Sequence, residues 1–229
     1  KHKQAPMKTL KVPQIKTIAL LGCLLLTNLI AKAQVPVPFT VRYESSIKGD
    51  MTLIANNIVN RQTTTEGPNI PYNTLGNTSQ FNDNFNMQYI DIDGDASTFS
   101  SSSASLTLPN GGCNKIVYAG LYWSATYRFN TGYSTNPGDG DNIRSNDFNQ
   151  VKIKIPGGSY VDVTGQLIFD GFTNPAFISN SPYACYADIT NLVVPLANPE
   201  GEYTVANIRA TQGFLNGGGV SGGWTIFFV

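Results

Sequence analysis

The stretch Lys115 to Arg128, KIVYAGLYWSATYR, decides the fold. Val117, Ala119, Leu121, Trp123 and Ala125 fall on one face of an extended chain; Ile116, Tyr118, Gly120, Tyr122 and Ser124 fall on the other. Successive side chains of a strand point to opposite sides, so this pattern is a strand rather than a helix. Both faces are largely apolar, which predicts a central strand covered on both sides.

Outward from it, the same reading repeats. Val151, Ile153 and Ile155 alternate with Lys152 and Lys154, a half-buried strand with a solvated outer face. Pro156-Gly157-Gly158-Ser159 turns the chain, and Tyr160 to Thr164 returns as a hairpin partner. Further strands are predicted at Phe39 to Glu44, Met51 to Val59, Met87 to Asp93, Ala104 to Leu108, Leu167 to Asp170, Ala184 to Ile189, Glu202 to Thr211 and Trp224 to Val229. The serine run Ser100 to Ser103 leads into one of them, and a short helical turn fits Ile189 to Val193. Gly217-Gly218-Gly219 with Gly222-Gly223 reads as a wide turn between strands; no Lys-Ser/Thr follows it, so it is not a phosphate loop. Sustained 3.6 periodicity is missing after residue 33. The expectation is an all-β fold, a β-sandwich of jelly-roll-like type. Residues 61–80 and 130–149 are long polar connections, and connections of that length tend to be binding loops.

The first 33 residues read as a signal peptide, helical in its apolar part. Lys8, Lys11 and Lys16 precede the apolar run Thr17 to Ala31, which ends in Ala31-Lys32-Ala33. That small-x-small pattern places cleavage between Ala33 and Gln34, and the run is too short for a comfortable membrane span. Met7 is the natural start, with residues 1–6 upstream of it. Leu20-Leu21-Gly22 before Cys23 partly resembles a lipoprotein signal, but the apolar run continues past the cysteine. The mature part, 34–229, reads as one domain. It stops inside the apolar strand Gly222 to Val229, so the expectation is a piece truncated at its C-terminus.

Removing the leader changes the chemistry available. Only 13% of the 229 residues are charged, and six of the fifteen basic residues lie in the leader with no acidic ones. Nine basic and fifteen acidic residues remain, a net charge of −6, which repels nucleic acid and anionic lipid. The only histidine is His2, so the mature chain has no Ser-His-Asp or Cys-His pair and no His-ligated zinc. Two cysteines remain, Cys113 and Cys185. In an exported protein they are either a disulfide or two buried thiols in neighbouring strands.

Two acidic clusters are candidates for a metal. Asp91-Ile92-Asp93-Gly94-Asp95 puts alternate carboxylates on one side of a strand end, where Asp91, Asp93 and Asp95 could begin a Ca²⁺ shell. The spacing is not that of an EF-hand, and the competing reading is a solvated turn. Asp139 and Asp141 with Asp147 form a second Gly/Asp-rich loop, more simply explained as turn chemistry. A glycosidase needs two opposed carboxylates; Glu44, Asp93, Asp95 and Asp141 could be nominated, but no spacing selects a pair. Tyr118, Tyr122, Trp123, Tyr127 and the loop residue Tyr133 could stack on sugar rings, with core packing as the competing role for the strand aromatics.

Four segments carry a resemblance. They are Tyr118 to Trp123 (YAGLYW), Tyr89 to Asp95 (YIDIDGD) with the following serine-rich strand to Pro109, Pro182 to Thr190 (PYACYADIT) and Gly223 to Ile226 (GWTI). Together they resemble the N-terminal region of very large exported surface proteins of Bacteroidota, the SprB-type gliding-motility adhesins. The resemblance implies export through the Sec pathway, passage through type IX secretion machinery and display at the cell surface. It implies no catalytic residue. The resulting expectation is a non-enzymatic adhesin module that meets a surface glycan or protein ligand. The alternative is a carbohydrate-binding or ancillary module of a secreted polysaccharide-degrading enzyme.

Overall fold

Alternation of apolar residues on Lys115–Arg128 does produce a central strand, Ala119–Thr126, flanked on both sides by antiparallel partners. The computed structural model describes residues 40–62, 68–70, 81–109, 114–132, 141–215 and 218–229. The signal peptide, its Ala33/Gln34 cleavage site, Cys113, Tyr133 and Asp139 lie outside the described residues. The strands all belong to the unit Pro36–Val229.

In chain order the elements are β1 (Thr52–Asn57), β2 (Val59–Gln62), β3 (Asn86–Tyr89), β4 (Ser101–Leu106), β5 (Ala119–Thr126), β6 (Phe129–Thr131), β7 (Asp141–Ile143), β8 (Gln150–Lys154), β9 (Val161–Thr164), β10 (Gln166–Asp170), β11 (Pro182–Asp188), α1 (Thr190–Val193), β12 (Gly201–Ala206) and β13 (Gly222–Phe228). One sheet has the order β1-β13-β5-β11-β10 and the other β4-β12-β8-β9. Two ribbons, β2-β3 and β6-β7, stand apart from both.

Leaving out the ribbons and β10, eight strands remain, and they nest. The first pairs with the last (β1 with β13), the second with the seventh (β4 with β12), the third with the sixth (β5 with β11), and the two middle ones form a hairpin (β8 with β9). That is a long hairpin rolled up across two sheets, the double Greek key of a jelly roll. The fold is an all-β sandwich of that type.

The two inner faces supply the core. Leu121, Trp123, Tyr183, Cys185, Trp224 and Ile226 come from one sheet and Leu106, Val151, Ile153, Tyr203 and Val205 from the other, all buried. The two buried indoles find hydrogen-bond partners. The Trp224 indole N–H donates to Ser102 Oγ at 2.8 Å, and the Trp123 indole N–H donates to the Phe148 carbonyl at 3.0 Å. Such bonds keep a buried indole from losing its solvation unpaid.

Several expected boundaries shift, each for a local reason. Residues 40–44 form no strand; Arg42 and Tyr43 instead lay side chains on Tyr186 and Tyr118. The segment Met51–Val59 divides into β1 and β2 at buried Ile58, whose N–H donates to the Gly222 carbonyl. The strand expected to reach Asp93 ends at Tyr89, because the Ser101 hydroxyl accepts from the amides of Ile92 and Asp93 and turns the chain. The serine run lies inside β4. β12 stops at Ala206, where Asn207 takes a positive φ of 64°. Gly222 and Gly223 belong to β13 and not to a turn. The long connection after Asn130 carries the β6-β7 ribbon. The helical turn expected at Ile189–Val193 is α1, anchored by buried Val193.

Registers place Asn57, Thr126, Asp170, Pro182 and Gly222 at one end of the five-stranded sheet. The β2-β3 ribbon joins that end to the segment after β12, through a bridge from Met87 to Gly213 and a bond from the Tyr89 hydroxyl to the Ala210 carbonyl at 2.7 Å.

Candidate functional site

The outer face of the five-stranded sheet holds the candidate site. Strand registers align Asn57, Gly223, Ser124 and Ala184 as one row across β1, β13, β5 and β11. The adjacent row is Ala55, Thr225, Tyr122 and Tyr186. Small side chains along the first row leave an open depression of about 560 Å³, lined among others by Ala55, Asn57, Tyr122, Ser124, Ala184 and Thr225. At Gly223 the space is set by backbone: a Cβ there would come within 2.7 Å of the Asn56 carbonyl oxygen.

An aromatic group bounds the trough on one side. Tyr122 packs against Tyr186 at 4.9 Å between ring centroids and edge-on against Phe227 at 5.7 Å. The Tyr118 and Tyr186 hydroxyls are 3.0 Å apart. Burial and the neighbouring Tyr186 raise the Tyr122 pKa, with Arg42 acting in the opposite sense, so Tyr122 is a neutral phenol at ordinary pH. Arg42 lies over the Tyr186 ring at 4.6 Å and donates to Gln166 Oε1 at 2.8 Å. Tyr43 stacks on Tyr118 at 4.7 Å. This short segment covers that end of the sheet face and leaves the row of small residues open.

The acidic turn is built differently from a metal shell. Asp93 Oδ1 accepts from the Asp95 amide at 3.0 Å and from the Thr98 hydroxyl at 3.1 Å, and Asp93 Oδ2 accepts from the Tyr160 hydroxyl. Asp91 Oδ1 accepts from Ser101 Oγ at 3.0 Å, and Asp95 Oδ1 from the Ser97 amide at 2.8 Å. The three carboxylates thus hold their own turn and the strand beside it. Among the described residues, no group of three or more His, Cys, Asp or Glu side chains is placed to hold a metal ion.

The other candidates separate. Trp123 and Tyr127 are core residues and Tyr118 is buried, whereas Tyr122 is half-buried and borders the depression. Asp93 and Asp95 share one turn instead of facing across a cleft, while Glu44 and Asp147 are exposed. Among the described residues Cys185 has no disulfide partner; it is buried, facing the core between Leu167 and Trp123, and its pKa is pushed up to about 12 by burial and, secondarily, by Asp170. Sequence reading missed the row of small residues. Alternation does put Tyr122 and Ser124 on one face, but which residues of β1, β11 and β13 stand beside them depends on register. Comparison of the chain with protein-family models, curated proteins and solved structures returns no match.

Proposed function

We propose that the mature chain is a non-enzymatic binding module of a large exported surface protein, working in surface adhesion or gliding motility. Export through the Sec pathway and type IX secretion machinery belongs to the same reading, as does display at the cell surface. One observation carries the binding role: an open, uncharged trough lies on the outer face of a rigid jelly-roll sheet, with Tyr122 at its edge. Sites on sheet faces are preorganised by the ladder beneath them, which suits attachment to an extended ligand.

The trough also suits the second reading, an ancillary carbohydrate-binding module of a secreted polysaccharide-degrading enzyme. The complete open reading frame separates the two, since tandem repeats with a terminal sorting domain mark an adhesin and a catalytic domain marks the enzyme. The adhesin reading is tested in cells by changing Tyr122 and Ser124 in the native gene. Immunolabelling of unpermeabilised cells is expected to stay positive while attachment or gliding falls. A protein retained inside the cell, or attachment and gliding unaffected by the changes, refutes it.

A further inference from the structure

We propose that the trough along Asn57, Gly223, Ser124 and Ala184 binds a neutral oligosaccharide chain laid across the strands; this rests on the reading of the chain as a binding module. The row crosses three inter-strand gaps of about 4.8 Å, roughly 14 Å in all, the length of a short oligosaccharide. The depression of about 560 Å³ falls in the range of small-ligand sites, about 300–1,000 Å³.

Chemistry narrows the class. No residue lining the trough carries a charge. The nearby cation, Arg42, is engaged by Gln166 and Tyr186. A charged ligand would lose hydration there and gain no counter-charge, which is costly. The Ser124 and Thr225 hydroxyls and the Asn57 carboxamide face this side and have no hydrogen-bond partner within the protein among the described residues. Hydroxyls and amides both donate and accept, which matches a ligand whose own polar groups are hydroxyls. Between them, Ala55, Ala184 and the Tyr122 ring offer the apolar surface that the C–H face of a sugar ring covers. A peptide strand is the poorer fit. Backbone groups of β13, β5 and β11 are paired on both sides, so a peptide laid across this face gains no main-chain ladder; a strand could add only at the free edge of β1, outside the row.

The pieces are also held in place. Tyr122 is wedged between Tyr186 and Phe227, and the floor at Gly223 cannot gain a side chain without moving β1. Little ordering is therefore required when a ligand arrives.

Affinity gel electrophoresis of the full chain tests the proposal, with laminarin, xyloglucan, xylan and galactomannan as neutral probes and alginate and heparin as acidic ones. At least one neutral polysaccharide should retard the protein, and the acidic ones should not. Tyr122→Ala should weaken that retardation about tenfold, as loss of an aromatic anchor does. Ser124→Tyr, which fills the trough from an exposed position, should abolish it. Ile143→Ala, on the β6-β7 ribbon, should leave it unchanged. Circular dichroism and thermal melts establish that each variant is folded, and the Ser124 variant serves should Tyr122→Ala unfold. Retardation by no neutral polysaccharide, by acidic ones alone, or equally in wild type and the Ser124 variant overturns the proposal. If attachment in cells depends on the trough but no saccharide binds, the ligand class is wrong and the adhesin reading survives. If saccharide binds but attachment is indifferent to both changes, the reverse holds.

Discussion

Asp93 shows how a single side chain is bound by its surroundings. Partial burial pushes its carboxyl pKa upward, but hydrogen bonds from Tyr160, the Asp95 amide and Thr98 outweigh this and hold it below the usual carboxylate range. The bond raises the Tyr160 hydroxyl in turn, after the larger effect of its burial. Because the folded value lies below the unfolded one of about 3.9, the stabilisation is complete above the unfolded value. It is lost as pH falls through the folded value. Asp93→Asn should cost about 1 kcal/mol near neutral pH, where a charge-assisted bond becomes a neutral one. It should also flatten the loss of stability in acid. Denaturant melts at neutral and acid pH measure both, and an unchanged acid limb would contradict the assignment. Cys185 gives a second check. A thiol raised to about 12 and buried in the core is a poor nucleophile. Iodoacetamide should leave it unmodified in the folded protein and label it in guanidinium, as read by peptide mass mapping. Protection that persists in guanidinium would show a thiol that is not free. Neither environment is written locally: nothing within DIDGD shows that Tyr160, 67 residues away, donates to Asp93.

At the scale of elements, contacts between sheets set which residues are tolerated. Gly165 joins β9 to β10 where the chain passes from one sheet to the other. A Cβ there would overlap the Trp123 ring, itself fixed by its indole bond to the Phe148 carbonyl. Gly165→Ala should therefore destabilise by about 1–3 kcal/mol through overpacking. A thermal melt with unchanged midpoint would mean that the ring has room to move. β5 was legible from its own residues because hydrophobic alternation is a local signal. β4 was less so. Ser101 and Ser102 look like linker residues, but Ser102 is the acceptor for Trp224 and Ser101 holds the turn at Asp91 to Asp93. Both buried serines of β4 have hydrogen-bond partners, and for Ser102 that partner is 122 residues distant.

For the molecule as a whole, the nested pairing has a consequence for folding. β13 lies between β1 and β5, so the last strand of the chain occupies the middle of a sheet. A chain ending at Ser221 would expose two strand edges and lose the buried side chains of Trp224, Ile226 and Phe228. Such a chain should show no cooperative melt, whereas the full chain should melt in one transition; a cooperative melt of the shortened chain would break this account. Pairing first with last strand also requires long loops to close, which slows folding. The sequence by itself determined strand content, the sandwich class and most strand positions, because alternation of apolar residues and Gly/Pro turns act over a few residues. Only the tertiary structure decided the strand order, the break between β1 and β2, the lodging of Arg42 and Tyr43 on the sheet face, and the trough. Those features depend on register between strands far apart in the chain, where a shift of one residue would turn Asn57, Ser124 and Ala184 away from one another and erase the site.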